Sequence, residues 1–494
     1  MNISPRRPLF NSRSSPNLYR MFLWAVLILV GLWLVYGVNQ KQITPIGQST
    51  PTPTRAALSY ASEGDAHFTA GELSASIAAY QKAIEVDPND AQVWARLARI
   101  QAYSSLLVTT DAARSAALQA ALVSINQASH LAPDDSKVAA IRSFVLDWNA
   151  TNTSGDEKDS LLLQAEQAAT RARQLDNTNT LALAYYAEIL VDEQKLAQAE
   201  QYILQALDGG DDLMDVHRVY AYLLESEGAY NQAIEEYNKA ILLAPNMTFL
   251  YLYAGANYRR LAFSSTIDSQ QKALYESSLE YFAKAAKIND QLGVKDPIPY
   301  LSISKTYSQM GDYFIAGRNV LKALKFRPND ADVYGQLGII FFKSRNYEGA
   351  IPALKCAVRG CTPPESCEAR AGCDPDEIGV EVQGLKLTDG SLVYYYTYGS
   401  VLAALSRPKD NKCPDAIPIF NELRAYPFGK DQDSQAFKKI VLDIVSDGET
   451  ICQSIGKPTP IQATATPAGT APASLSPTPS SMRLTETPTP VNYQ

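Results

Sequence analysis

The chain has 494 residues, a formal net charge of −8, 19% charged residues and three histidines. With no basic stretch interleaved with aromatics, that balance opposes binding to a phosphate backbone and excludes nucleic acid as a partner. Length alone permits several domains, but a regular internal rhythm argues for one continuous array.

Residues 1–20 form a basic tail, predicted to be cytoplasmic, in which Arg6, Arg7, Arg13 and Arg20 occur without one acidic residue. The run MFLWAVLILVGLWLVYGV at 21–38 is apolar throughout and would rise about 27 Å as a helix, which predicts a single transmembrane helix. The excess of arginine before it puts the N-terminus in the cytoplasm and the rest outside a plasma membrane, in a bacterial setting. A cleaved secretory signal, cut near Val35-Tyr36-Gly37, is the rival and leaves the repeats on the same side. No cysteine precedes Cys356, so a lipoprotein anchor is excluded. Segments 39–57 and 457–494 are rich in Thr and Pro and read as a linker and a disordered tail, because such compositions bury too little apolar surface to offset ordering entropy. A tail of this kind also invites O-glycosylation.

Between 58 and 430 one pattern recurs about every 34 residues. Its clearest copies are Gly71, Leu73, Ser76, Tyr80, Ala83 and Pro88; Gly228, Tyr230, Ala233, Tyr237, Ala240 and Pro245; and Gly311, Tyr313, Ala316, Val320, Ala323 and Pro328. The glycine suits a tight turn between antiparallel helices. The next four positions, at three- and four-residue steps, share one helix face, and proline ends the helix. The helix before each turn has its own signature, a bulky residue and a small one four later: Tyr60 and Gly64, Trp94 and Ala98, His217 and Ala221, Tyr251 and Gly255, Tyr334 and Gly338, Tyr395 and Gly399.

These motifs in phase resemble the tetratricopeptide repeat family. The resemblance implies an all-α fold, a right-handed α-solenoid of about nine helix-turn-helix repeats. Units opening at Trp94 and Tyr251 are longer than the standard unit by about eleven residues, through longer helices or a bulging loop. A third unit, around Ile141 to Asn177, is interrupted by a polar, turn-rich stretch at 149–155. A fourth runs through Tyr186, Ala187, Leu196, Ala199, Ile203 and Ala206, with Asp211 in place of the proline.

A cysteine-containing insertion near 359–389 breaks the rhythm, and 431–456 reads as a capping helix. All six cysteines, Cys356, Cys361, Cys367, Cys373, Cys413 and Cys452, lie in the last third of the chain, and an even cluster in an exported domain predicts disulfides. Joining Cys413 to Cys452 would pin the C-terminal cap, and pairing among Cys361, Cys367 and Cys373 would staple the insertion. The Cys-x5-Cys spacings and the lack of a nearby histidine speak against zinc, so no metal is expected.

No set of residues converges into a catalytic constellation, and neither an enzyme nor a cofactor is expected. Among His67, His130 and His217, the last occupies a bulky packing position. The acids Asp208, Asp211, Asp212 and Asp215 lack EF-hand spacing and read as a helix-end turn with favourable charges at the next N-terminus.

By resemblance, the inner face lined by first helices would bind extended peptides, through Arg218, Tyr222, Leu252, Arg259, Arg260, Leu301, Lys305, Ile339 and Phe342. Ala256, Gly335 and Lys343 fall on the same strip. The basic clamp with which some family members hold a chaperone's terminal carboxylate is not reproduced, since Ala61 and Asp65 occupy the first-repeat groove. The favoured function is therefore a membrane-tethered extracytoplasmic scaffold for protein or peptide partners at the cell envelope. The alternatives are a carbohydrate or cell-wall binding protein using Tyr394, Tyr395, Tyr396 and Tyr398, and an enzyme housed in the insertion.

Overall fold

A computed structural model of the protein describes residues 17–39, 55–108, 111–373 and 377–455. The expected tail at 1–20, linker at 39–57 and Thr/Pro-rich segment at 457–494 fall almost wholly outside the described residues. The chain divides into two units, 1–56 and 57–494, each taken by itself.

In the first unit, α1 (Leu18–Asn39) is helical, and Phe22, Trp24, Leu32 and Trp33 are exposed. Among the described residues no helix is long and apolar enough to cross a membrane. This overturns the transmembrane helix predicted at 21–38, and with it the single-pass plasma-membrane localisation with the repeats held outside.

In the second unit the described residues form helices and no strand, arranged as successive antiparallel pairs. The first five pairs are α2 (Ala57–Thr69) with α3 (Leu73–Val86), α4 (Ala91–Ser104) with α5 (Asp111–Leu131), α6 (Ser136–Thr151) with α7 (Asp156–Leu175), α8 (Thr180–Asp192) with α9 (Leu196–Gly210), and α10 (Met214–Ser226) with α11 (Tyr230–Leu243). Then come α12 (Thr248–Ser264) with α13 (Asp268–Leu292), α14 (Ile298–Met310) with α15 (Tyr313–Phe326), and α16 (Ala331–Lys343) with α17 (Tyr347–Val358). A short α18 (Pro363–Ala369) precedes the last pair, α19 (Leu392–Leu405) with α20 (Cys413–Ala425), and α21 (Gln432–Ser454) closes the array.

The turns within pairs need left-handed backbone. Gly71, Gly228 and Gly311 supply it with φ of 76°, 79° and 86°, and Gln194 and Arg345 adopt φ of 61° and 62° in the corresponding turns. Between pairs, the next helix is started by a side-chain cap: Asp90, Asp135, Asn179 and Asp330 accept backbone N–H groups of α4, α6, α8 and α16. The small residue four after each bulky one explains how the two helices of a pair approach. A Cβ added at Gly255 would lie 2.7 Å from the Phe282 ring, and one at Gly399 2.6 Å from Phe420.

The two overlong units extend chiefly through their second helices, of 21 residues in α5 and 25 in α13. The interruption predicted at 149–155 is smaller than expected. Helix α6 runs on to Thr151, because Asn149 is buried and its Nδ2 donates to the carbonyls of Leu118 at 3.1 Å and Val145 at 2.8 Å. The insertion folds back onto the end of α17: Cys361 and Val382 exchange backbone hydrogen bonds of 3.0 Å, and the Leu385 N–H donates to the Ala357 carbonyl at 2.8 Å.

The array also touches itself at long range. Asn246, between α11 and α12, donates through Nδ2 to the Ala70 carbonyl at 2.6 Å, and Tyr103 of α4 stacks on Phe249 of α12 at 5.6 Å. Helices from the first two pairs thus meet the junction of the fifth and sixth, so the first helices of these pairs share one closed interior.

Candidate functional site

That interior is filled by the side chains of the first helices. At its centre Asp215, wholly buried on α10, accepts hydrogen bonds from Arg99 and Tyr103 of α4 and from the Tyr185 hydroxyl of α8 at 2.6 Å. Burial alone would raise the Asp215 pKa, but Arg99, Arg218 and the two tyrosine hydroxyls together hold it below the ordinary carboxylate value. The acidic cluster is thus split: Asp215, although in the first turn of α10, is a core anion, whereas Asp211 and Asp212 are exposed.

A second network lies beside the first. Arg218 is 4% exposed and makes two hydrogen bonds of 2.6 Å to the Glu188 carboxylate, which also accepts from the Trp148 indole at 3.2 Å. The Tyr222 hydroxyl donates to Asp192 at 2.6 Å, and Asp192 hydrogen-bonds in turn to the carboxyl of Asp147, which is 1% exposed. Burial first, and the neighbouring carboxylates second, push Asp147 well above the usual carboxylate range. Asp192 is pushed up to about 6, mainly by burial. One of these two acids therefore carries a proton at a pH where both would be ionised in the unfolded chain.

The structure consequently separates the expected groove residues into two sets. Arg218 and Arg259 are buried: the first is fully engaged with Glu188, and the second donates to the Ser302 carbonyl at 3.2 Å and lies over the Phe282 ring. Tyr222 is tied to Asp192, and Arg260 to Glu225. Sealed in this way, Arg218 and Arg259 do not meet a partner's carboxylate, which corrects the mixed strip read from the sequence. The signal missed was the matching set of acids on neighbouring helices, Asp147, Glu188 and Asp215 buried and Asp192 half-buried. Leu252, on α12, is half-buried. Downstream the face is open: Lys305 and Phe342 are exposed, with Leu301 and Ile339 half-buried beside them on α14 and α16.

His217 is buried, with Nδ1 2.6 Å from Glu236 and Nε2 donating to the Asp211 carbonyl at 2.9 Å. Burial opposes its charge, yet these two acceptors raise its pKa. Tyr394, Tyr395 and Tyr398 are buried, and Tyr394 donates to Asp332 at 2.8 Å, so they offer no stacking surface for sugars. The six cysteines form three disulfides, Cys356–Cys361, Cys367–Cys373 and Cys413–Cys452, the last joining the start of α20 to the end of α21. A cavity of about 100 Å³ lined by Arg114, Trp148 and Asn152 is smaller than the few hundred Å³ usual for small-molecule sites.

Comparison with known proteins places repeats where the rhythm does. Residues 64–102 match a family model described as TPR repeat, and 219–247 match one described as tetratricopeptide repeat. No curated protein matches the chain. Similar solved structures include a thermophilic TPR protein of Thermus thermophilus, with 19% identity, covering 41% of this chain and 98% of that one, at a TM-score of 0.34. A tetratricopeptide repeat protein of Parabacteroides merdae has 15% identity over 62% and 99% of the two chains, with a TM-score of 0.37. The human IFIT1 dimer with PPP-AAAA has 14% identity over 81% and 91%, with a TM-score of 0.46.

Proposed function

We propose that this chain, with its tetratricopeptide repeat matches at 64–102 and 219–247, works as a non-catalytic scaffold, holding protein or peptide partners against the inner face of α14 and α16. One observation carries this reading: the upstream inner face is packed with its own ion pairs, while Leu301, Lys305, Ile339 and Phe342 stand at the surface. A lysine on α14 and an exposed phenylalanine on α16 suit an extended segment that carries an acidic group and, further along, an apolar side chain. The three disulfides support work in an oxidising compartment, extracellular or periplasmic.

A photo-crosslinking amino acid at Ile339 of the full chain tests the surface. Discrete protein adducts are expected in source cells, and they should disappear when Lys305→Glu and Phe342→Ala are added while the far-UV circular dichroism stays the same. An identical adduct pattern with and without those substitutions would reject this face. Retention of isolated wall polymer with no protein adduct would favour the carbohydrate reading instead.

A further inference from the structure

The insertion holds a polar arrangement that a scaffold does not use. Arg370 caps the C-terminal end of α18 and lies between Cys367 and Cys373. Although 7% exposed, Arg370 turns its guanidinium onto the disulfide: Nη2 lies 2.8 Å from the Cys373 sulfur and 3.8 Å from that of Cys367. Its other nitrogens are occupied, Nε donating to the Ser366 carbonyl at 3.1 Å and Nη1 to Glu377 at 3.3 Å. Glu377 is shared with Lys325 at 3.0 Å, so two cations face this one carboxylate and Arg370 is not its sole counter-ion.

A disulfide has no charge for a buried guanidinium to complement, but the thiolate released on its reduction does. Access points the same way. Cys367 and Cys373 are both partly exposed, while each of the other two disulfides has at least one buried cysteine: Cys356 and Cys361 in one, Cys413 in the other.

We propose that Cys367–Cys373 is a redox-active disulfide that exchanges with a dithiol, with Arg370 as the positioning residue for the Cys373 thiolate. A thiolate of the dithiol attacks the Cys367 sulfur, forming a mixed disulfide as the Cys367–Cys373 bond breaks. The bonding electron pair leaves on Cys373, whose anion pairs with Arg370. The second thiol of the dithiol, after losing its proton, then displaces Cys367, so that this pair gains two electrons and the dithiol is oxidised by two. A leaving thiolate stabilised in this way speeds the first step, and the same stabilisation favours the reduced form at equilibrium.

The test equilibrates the full chain in glutathione buffers of graded ratio, followed by acid quench, differential alkylation and mass spectrometry. Cys367–Cys373 is expected to open at a [GSH]²/[GSSG] about tenfold lower than Cys356–Cys361 and Cys413–Cys452, and Arg370→Gln should erase most of that gap. Arg370→Lys, which keeps the charge, should retain part of it. In a Cys367→Ser background, the pH dependence of Cys373 alkylation should report a thiol titrating below the ordinary value of about 8.5, moved upward by Arg370→Gln. A merely structural arginine would leave that titration in place. Simultaneous opening of the three disulfides, opening of Cys367–Cys373 last, or a Cys373 titration at or above the ordinary value would each overturn the proposal. Should Arg370→Gln fail to fold, the order of opening in the unmodified chain and the Arg370→Lys comparison still decide.

Discussion

Replacing Asp147 by asparagine should stabilise the repeats increasingly as pH rises. Asp147 faces Asp192 and Glu188 from α8 and Arg218 and Tyr222 from α10, with one oxygen lacking any hydrogen-bond partner. It is the more deeply buried of the coupled acids, and its bond to Asp192 raises its own pKa while lowering that of Asp192, so it keeps its proton longer. A folded-state pKa raised above the unfolded value gives stability that is complete below about pH 4 and is lost as pH climbs towards the folded value. For as long as Asp147 keeps its proton, the unmodified chain loses about 1.4 kcal/mol for each pH unit above the unfolded value of this acid. Asparagine, which mimics the protonated acid and can still donate to Asp192, loses nothing. Urea unfolding by circular dichroism at pH 4.5 and 6.5, with amide exchange of the α6 and α8 peptides, reads the difference. A variant whose advantage is the same at both pH values would refute the reasoning.

Arg218→Ala should cost about 3–5 kcal/mol, because Glu188 would remain buried without its bidentate partner, whereas Lys305→Glu should stay within about 0.5 kcal/mol. Thermal melts of the two variants check this, and equal losses would place Arg218 on the surface after all. Cys413→Ser with Cys452→Ser releases a closure spanning 39 residues, worth about 4 kcal/mol by chain entropy. Limited proteolysis should then cut between α20 and α21, and an unchanged digestion pattern would count against it. Phe420→Ala removes a wholly buried ring packed against Gly399 and Gly448 and should cost about 3–5 kcal/mol, visible as faster amide exchange across α19 to α21.

Reading the helix pairs from the sequence depended on local chemistry. Gly71, Gly228 and Gly311 had to mark turns because few other residues tolerate that backbone, and the bulky-then-small spacing of Tyr251 and Gly255 follows from how closely two helices approach. Where the turn residue was Gln194 or Arg345, the same conformation carried no sequence signal. The surroundings of individual groove residues were not legible in the same way. Whether Arg218 faces solvent or Glu188 depends on how sharply the array curls, and no residue-to-residue spacing encodes the meeting of Ala70 with Asn246. The apolar run at 21–38 was legible as composition, but composition does not establish a span. In the insertion, cysteine count and spacing pointed to cross-links, whereas the approach of Arg370 to sulfur needed coordinates.

The meeting of Asn246 with Ala70, and of Tyr103 with Phe249, gives the first six modules a fixed circumference. An open stack can gain or lose a unit and keep every remaining contact, but a circuit cannot. Deleting or duplicating one module between α4 and α10 would pull Arg99 away from Asp215 and strand both charges, so unit number in this half is held by geometry.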